Sequence, residues 1–252
     1  MLSKNLSKYV QSLHQKKYRQ EHGAFLVEGA KSVREVLLSG FQVEILLITD
    51  QFYKENDLLP HNQRPRTEFV TPAELERVGT LASNNTALAV VKTRENRPLA
   101  AEPGELALVL DDVRDPGNLG TILRIADWYG IRKIICSDTT ADVYNPKVIS
   151  ASKGSFTRVD WWYGDLVAWL KQQPDIPVYG AFLDGGNVHQ TAFGGTGYLV
   201  MGNESNGISP EVAALVSRRV TIPRYGGAES LNVGIATAII LDNWRRGHPL
   251  AP

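Results

Sequence analysis

Five short, mainly apolar runs in the second half of the chain constrain its fold more than any other feature: LALVL (106–110), KIIC (133–136), VYGAF (178–182), YLVM (198–201) and VTI (220–222). A strand that is apolar at successive positions has no water-facing side, so both faces of its sheet must be covered. Helical segments near 119–128, 145–151, 166–172 and 211–216 separate the runs and supply that cover. The alternation predicts a parallel α/β sheet, in which ligands bind beyond the carboxyl ends of the strands.

The first half carries a second, smaller alternation. FLVEG (25–29), VEILLIT (43–49), TEFV (67–70) and TALAVVK (86–92) read as strands, with helices over 30–39, after 49 and from Thr71-Pro72, and a loop around Pro60. Residues 1–22 read as one helix with Leu6, Val10 and Leu13 on one side and Lys4, Lys8, Lys16, Lys17 and Arg19 spread around it. Seven basic residues against two acidic ones in 1–34 suit a solvated face or a polyanion such as RNA. RENRPLAAEPGE (94–105) has two prolines, a glycine and charges with little to bury, and is expected to link the halves. The predicted division is an N-terminal α/β domain over 1–96, a linker over 97–105 and a parallel-sheet α/β domain over 106–252.

Lys plus Arg equals Asp plus Glu at 27 each, so no global field attracts a polyanion, although a local patch can. The single cysteine, Cys136, permits no intrachain disulfide and no multi-cysteine zinc site, which fits a reducing compartment and makes cytoplasm the expected location. His14, His22, His61, His189 and His248 have no ligand spacing, and no metal is expected. The first residues lack the apolar core of a signal peptide, and no apolar run reaches the roughly 20 residues that span a bilayer, so no membrane partner is expected.

Three turns after strands carry residues that chemistry could use. In DDVRDPGNLGTILRIAD (111–127), Asn118 reads as a helix N-cap, and Leu119, Ile122, Leu123 and Ala126 form an apolar stripe with Arg124 well off it. That pattern suits a solvated arginine, or an arginine and a helix N-terminus facing an anion. Gly117 and Gly120 fall short of a dinucleotide fingerprint, and the chain has no P-loop. In LVMGNESNGISPEV (199–212) Asn, Ser and Gly are ordinary turn residues, whereas Glu204 is not one that a turn needs. In IPRYGGAESLNVGIATAIIL (222–241) a polar loop feeds a helix apolar on nearly every position, which predicts burial all round. Ser230 there is either that helix's cap or part of a loop that holds something, and Asn232 is a residue no such cap requires.

In order, spacing and residue type these turns resemble the three motifs of the SpoU-type branch of the SPOUT superfamily, RNA ribose 2′-O-methyltransferases that use S-adenosylmethionine. The resemblance runs over DPGNLGTILRIAD, LVMGNESNGISP and IPRYGGAESLNVGIA, and KYRQEHGAFLVEGAKSVREVL (17–37) is similar to the start of the family's substrate-binding domain. It implies a C-terminal segment threaded as a trefoil knot, with Asn118, Arg124, Glu204, Ser230 and Asn232 as catalytic-site residues. It also implies a cofactor held near Met201, Gly202, Ile222, Leu231 and Asn232, a homodimer, and an RNA substrate, ribosomal RNA before transfer RNA. A base-modifying tRNA methyltransferase of the same superfamily and a non-catalytic RNA- or ribosome-binding module are the rival readings. The chain departs from the common family pattern at Thr121, at Gly234 and over 151–164.

Overall fold

The computed structural model describes residues 2–56, 65–81 and 84–249, and every element named below belongs to them; the loop expected around Pro60 lies outside. The chain forms two compact units. The first comprises Met1–Glu95 and Asp142–Thr157, and the second Asn96–Ala141 and Arg158–Pro252.

In the first unit β1 (Ala24–Glu28), β2 (Val43–Ile48), β3 (Arg66–Phe69) and β4 (Ala87–Lys92) form a sheet in the order β1-β4-β2-β3, with β2 and β3 the only parallel pair. The expected single N-terminal helix is two, α1 (Lys4–Ser12) and α2 (Lys16–His22). Arg19 explains the break. It is 3% exposed, donates to the carbonyls of Leu13 and His14 at the end of α1, and pairs with Asp142 at 2.7 Å. Arg19 therefore leaves the set of basic residues available to a polyanion, while Lys4, Lys8, Lys16 and Lys17 are exposed.

Helices α3 (Ala30–Leu37), α4 (Asp50–Glu55) and α5 (Pro72–Val78) complete the alternation. A capping box starts α5: the Thr71 side chain accepts the Glu74 N–H and Glu74 accepts the Thr71 N–H, which stabilises the helix by about 1 kcal/mol.

The unit's second piece contains α7 (Pro146–Ser152), a segment that the sequence assigns to the C-terminal domain. Aromatic packing holds it here. Phe156 lies 6.1 Å from Phe25 and 5.6 Å from Phe41 between ring centroids, and Tyr144 lies 4.6 Å from Phe25. Side chains of this size each bury on the order of 150–250 Å², more than the local sequence pattern can register.

The second unit is a six-stranded, wholly parallel sheet in the order β10-β8-β9-β5-β6-β7. Its strands are β5 (Leu106–Leu110), β6 (Lys133–Ser137), β7 (Asp160–Gly164), β8 (Val178–Asn187), β9 (Gly197–Met201) and β10 (Arg218–Thr221). The central β5 and β9 are buried at every position, as their apolar runs require. β7 lacks such a run; its DWWYG sequence is half-exposed at the sheet edge, which hides it from a reading based on burial.

Residues 97–105, expected as a linker, are held on this unit: Trp169 Nε1 donates to the Leu99 carbonyl at 2.9 Å, and the Tyr198 hydroxyl accepts the Ala101 N–H at 3.0 Å.

Helices α6 (Pro116–Trp128), α8 (Leu166–Leu170), α9 (Pro210–Ala213) and α10 (Val233–Gly247) cover the sheet. Two expected caps are corrected. Asp115, not Asn118, caps α6, because Pro116 takes the first helical position and leaves Asp115 to accept the Asn118 N–H. Asn232, not Ser230, caps α10, accepting from the N–H groups of Gly234 and Ile235.

Nor is α10 buried all round, since Ile235 is exposed within this chain. Where α10 meets α6, two of the three departures from the family pattern face each other: a Cβ on Gly234 would lie 3.2 Å from Thr121 Cγ2. The larger side chain on one helix is matched by the missing one on the other. A double-mutant cycle over Gly234→Ser and Thr121→Ala should therefore show coupling of about 0.5–2 kcal/mol in thermal or denaturant unfolding, the serine being better tolerated beside alanine. Additive effects would refute the packing.

Candidate active site

The carboxyl ends of β5 and β9 turn on side chains rather than on glycine alone. Asp111 is buried and accepts the Ser209 N–H at 2.7 Å. Asp112 has φ of 63°, a left-handed backbone that costs a non-glycine residue roughly 1–2 kcal/mol. Several contacts hold it there. Asn203 Nδ2 donates to the Asp112 carbonyl at 2.8 Å and to its carboxylate at 3.2 Å, while the Asp112 N–H donates to Ser137 Oγ at 2.9 Å. Arg114 Nε donates to Asp112 Oδ1 at 2.8 Å. Burial works to raise the Asp112 pKa, but hydrogen bonds from Arg114 and Thr139 and the Arg114 charge outweigh it and hold the carboxyl below its ordinary range.

After β9 the chain closes a tight loop. The Asn203 N–H and carbonyl pair with Gly207, and Asn203 Oδ1 accepts the N–H groups of Ser205 and Asn206. A Cβ on Gly202 would fall 2.2 Å from the Gly207 carbonyl carbon, so only glycine lets the two backbones approach. Asn203 looks like any turn asparagine in sequence; its reach to Asp112 is what the pattern does not display.

Glu204 leaves this loop and accepts from Asn118 Nδ2 at 2.9 Å and, at 3.4 Å, from the N–H groups of Arg114 and Asp115. Asn118 Oδ1 in turn accepts from Asn232 Nδ2 at 2.8 Å. An ionised carboxylate only accepts, so Glu204 fixes the polarity of the whole chain of bonds. Asn118 must turn its amide nitrogen to Glu204 and its oxygen to Asn232. Asn232 must then present its own oxygen to the first turn of α10. The three sequence motifs thus meet in one relay, and Asn232 serves both it and the helix cap.

Arg124 and Ser230 stand apart from the relay: both are exposed, and neither side chain makes a hydrogen bond or ion pair among the described residues.

Next to the relay is a cleft of about 750 Å³, a volume that suits a nucleoside-sized ligand. Met201, Gly202, Glu204, Ile222, Ser230 and Leu231 line it, as do Val233, Ala236 and Ile240 of α10; Asn118, Arg124 and Asn232 are not among its walls. One wall is absent from the sequence reading. β10 pairs Arg219 with Gly180 and the next residue, Val220, with Gly186, so residues 181–185 are displaced outward and line the cleft from Ala181 to Asp184. Arg219 fixes this excursion by stacking 3.9 Å over the Phe182 ring and pairing with Asp184 at 2.7 Å.

Other chemistries find less here. Cys136 is buried and burial pushes its thiol pKa up, away from a nucleophile. Among the described residues no three His, Cys, Asp or Glu side chains group as a metal site would, and no helix is long and apolar enough to cross a membrane.

Comparison with known proteins agrees with this geometry. Residues 105–242 match the SpoU rRNA Methylase family, and residues 5–89 match the MRM3-like substrate binding domain. The chain is 30% identical to the 23S rRNA (guanosine(2553)-2′-O)-methyltransferase RlmP of Bacillus subtilis, over 92% of this chain and 93% of that one. A TrmH-family structure from Porphyromonas gingivalis superposes with a TM-score of 0.89 at 39% identity, covering 98% of this chain and 99% of its own. An AdoMet-bound rRNA methyltransferase from Sinorhizobium meliloti gives 0.88 at 28%, covering 100% and 97%. With its three motif loops joined by one relay beside the cleft and residues 105–242 matched by the family, the chain belongs to the SpoU rRNA methylase family.

Proposed function

We infer that the protein transfers a methyl group from S-adenosylmethionine to a ribose 2′-hydroxyl of RNA, with ribosomal RNA as substrate. The observation that carries this reading is the Glu204–Asn118–Asn232 relay, which ties the three motif loops together at the edge of the cleft. The cleft fits the cofactor: its volume suits an adenosine, Met201, Ile222, Leu231 and Ile240 give it apolar walls, and Gly202 lets the loop that borders it close on Gly207. S-adenosylmethionine supplies, when bound, an electrophilic methyl carbon on a sulfonium. Met201, Gly202, Ile222 and Leu231 are the residues we assign to holding it, with Asn232 fixing the loop beside them.

A neutral 2′-hydroxyl attacks poorly, so it has to be oriented and its developing negative charge stabilised. Arg124, exposed on α6 and without a protein partner among the described residues, is assigned that charge. Guanidinium stays protonated in proteins, which suits an anion-stabilising or phosphate-holding role better than proton abstraction. Ser230, also unpartnered and on the cleft wall, is available to position the ribose. Asn118 and Glu204 brace the loops. The exposed lysines Lys4, Lys8, Lys16 and Lys17 support RNA binding by the N-terminal domain.

The same reading includes the trefoil knot, supported by the loops after β9 and β10 lining one cleft, and a cytoplasmic location, supported by a ribosomal RNA substrate.

Arg124→Ala should lower methyl transfer from labelled S-adenosylmethionine to ribosomal RNA by at least about 100-fold, while binding of S-adenosylhomocysteine in a calorimeter is retained. Near-normal turnover of the purified variant would sink the assignment, and methyl groups mapped to a base nitrogen would redirect the reading to base methylation.

A homodimer is part of the proposal, because Leu231, Ile235 and Trp128 leave apolar surface exposed on and beside α6 and α10. Light scattering on a sizing column should give twice the chain mass at micromolar concentration. A monomer alone would reject it.

A further inference from the structure

Arg114 is the feature of the first motif that the reading above leaves unused. Its Nε is bound to Asp112 Oδ1 at 2.8 Å, yet its side chain is 68% exposed and its terminal nitrogens make no hydrogen bond among the described residues. Its backbone N–H reaches the Glu204 carboxylate, so the root of the side chain is fixed to the relay itself. An exposed ion pair two residues apart contributes little to stability, and the residue that makes this one, Asp112, has a left-handed backbone. Backbone strain of that sort, here held by Asn203 and Ser137, clusters at functional sites.

We propose that Arg114, oriented by Asp112, anchors an RNA phosphate next to the methylation site; the proposal rests on the 2′-O-methyltransferase reading. With Nε occupied, both terminal nitrogens present N–H donors in the planar fork that matches two phosphate oxygens. Each neighbouring carboxylate is engaged by protein donors, Asp112 by the Arg114 charge and Asp115 and Glu204 by neutral N–H groups. Asp112 accepts from Arg114 and Asn203, Asp115 Oδ1 accepts the Asn118 N–H, and Glu204 accepts from Asn118 and two backbone N–H groups. Arg114 is then a substrate-anchoring residue, and Asp112 a positioning residue that acts through it.

The test uses the full chain and an unmodified 23S rRNA transcript as the probe. Arg114→Ala should raise KM for the transcript roughly tenfold and leave kcat within about twofold. It should reduce the slope of log affinity against log salt by about 0.7–1, with S-adenosylhomocysteine affinity unchanged. Arg114→Lys should recover part of the affinity. Asp112→Gly separates this role from a structural one: glycine accepts the left-handed backbone without strain, so the Tm should not fall, yet KM should rise as for Arg114→Ala. Unchanged KM and salt slope in Arg114→Ala, or normal RNA affinity in Asp112→Gly, would overturn the proposal. Equal losses of S-adenosylhomocysteine and RNA affinity would also overturn it, since they mark a structural role. A wild-type protein that binds S-adenosylhomocysteine but behaves like Arg114→Ala refutes the anchor alone. One that binds neither ligand refutes the methyltransferase reading, and the anchor with it.

Discussion

The site depends on one chain of hydrogen bonds whose direction a single carboxylate sets. Glu204 can only accept, and that fact orients Asn118, then Asn232, then the first turn of α10. Two amides that could otherwise flip are left with one satisfactory arrangement. Three loops separated by some 30–115 residues are thereby joined in a region that local secondary structure does not constrain. The cleft beside the relay inherits its shape from this junction and from the backbone contact at Gly202.

The arrangement also separates bracing from chemistry. Residues of the relay are spent on one another, so they are poor candidates to meet a substrate directly. The two family-site residues with no protein partner among those described, Arg124 and Ser230, are the ones left to do so. Charge is handled the same way at the first motif, where Asp112 occupies one edge of the Arg114 guanidinium and leaves the other open. The N-terminal unit, by contrast, uses its buried arginine for folding: Arg19 ends one helix and clamps Asp142, and only the exposed lysines around it remain for a polyanion.

Much of this was legible in the sequence because apolar runs and ordered motifs are local signals. The strands β5, β6 and β9 and the three motif loops fall where the sequence reading expects them. What was not legible was decided by tertiary competition. Asp115 and Asn118 can each cap α6, and Ser230 and Asn232 can each cap α10. Pro116 settles the first case and the relay the second, since Asn232 alone reaches both Asn118 and the helix. The grouping of residues 142–157 with the first unit rests on Phe25, Phe41 and Phe156 meeting across the sequence, and the displaced segment of β8 rests on Arg219. Neither has a periodicity to betray it.

The central claim is that the motif loops stand or fall together through the relay. A double-mutant cycle on S-adenosylhomocysteine affinity tests it most directly, with Asn118→Ala to remove the middle member and Asn232→Ser to cut the last bond while keeping a helix cap. Each single variant should lose roughly tenfold in affinity, and the double variant should be no worse than the weaker single. Losses that multiply to about 100-fold would mean that the two asparagines act independently, and would contradict the account.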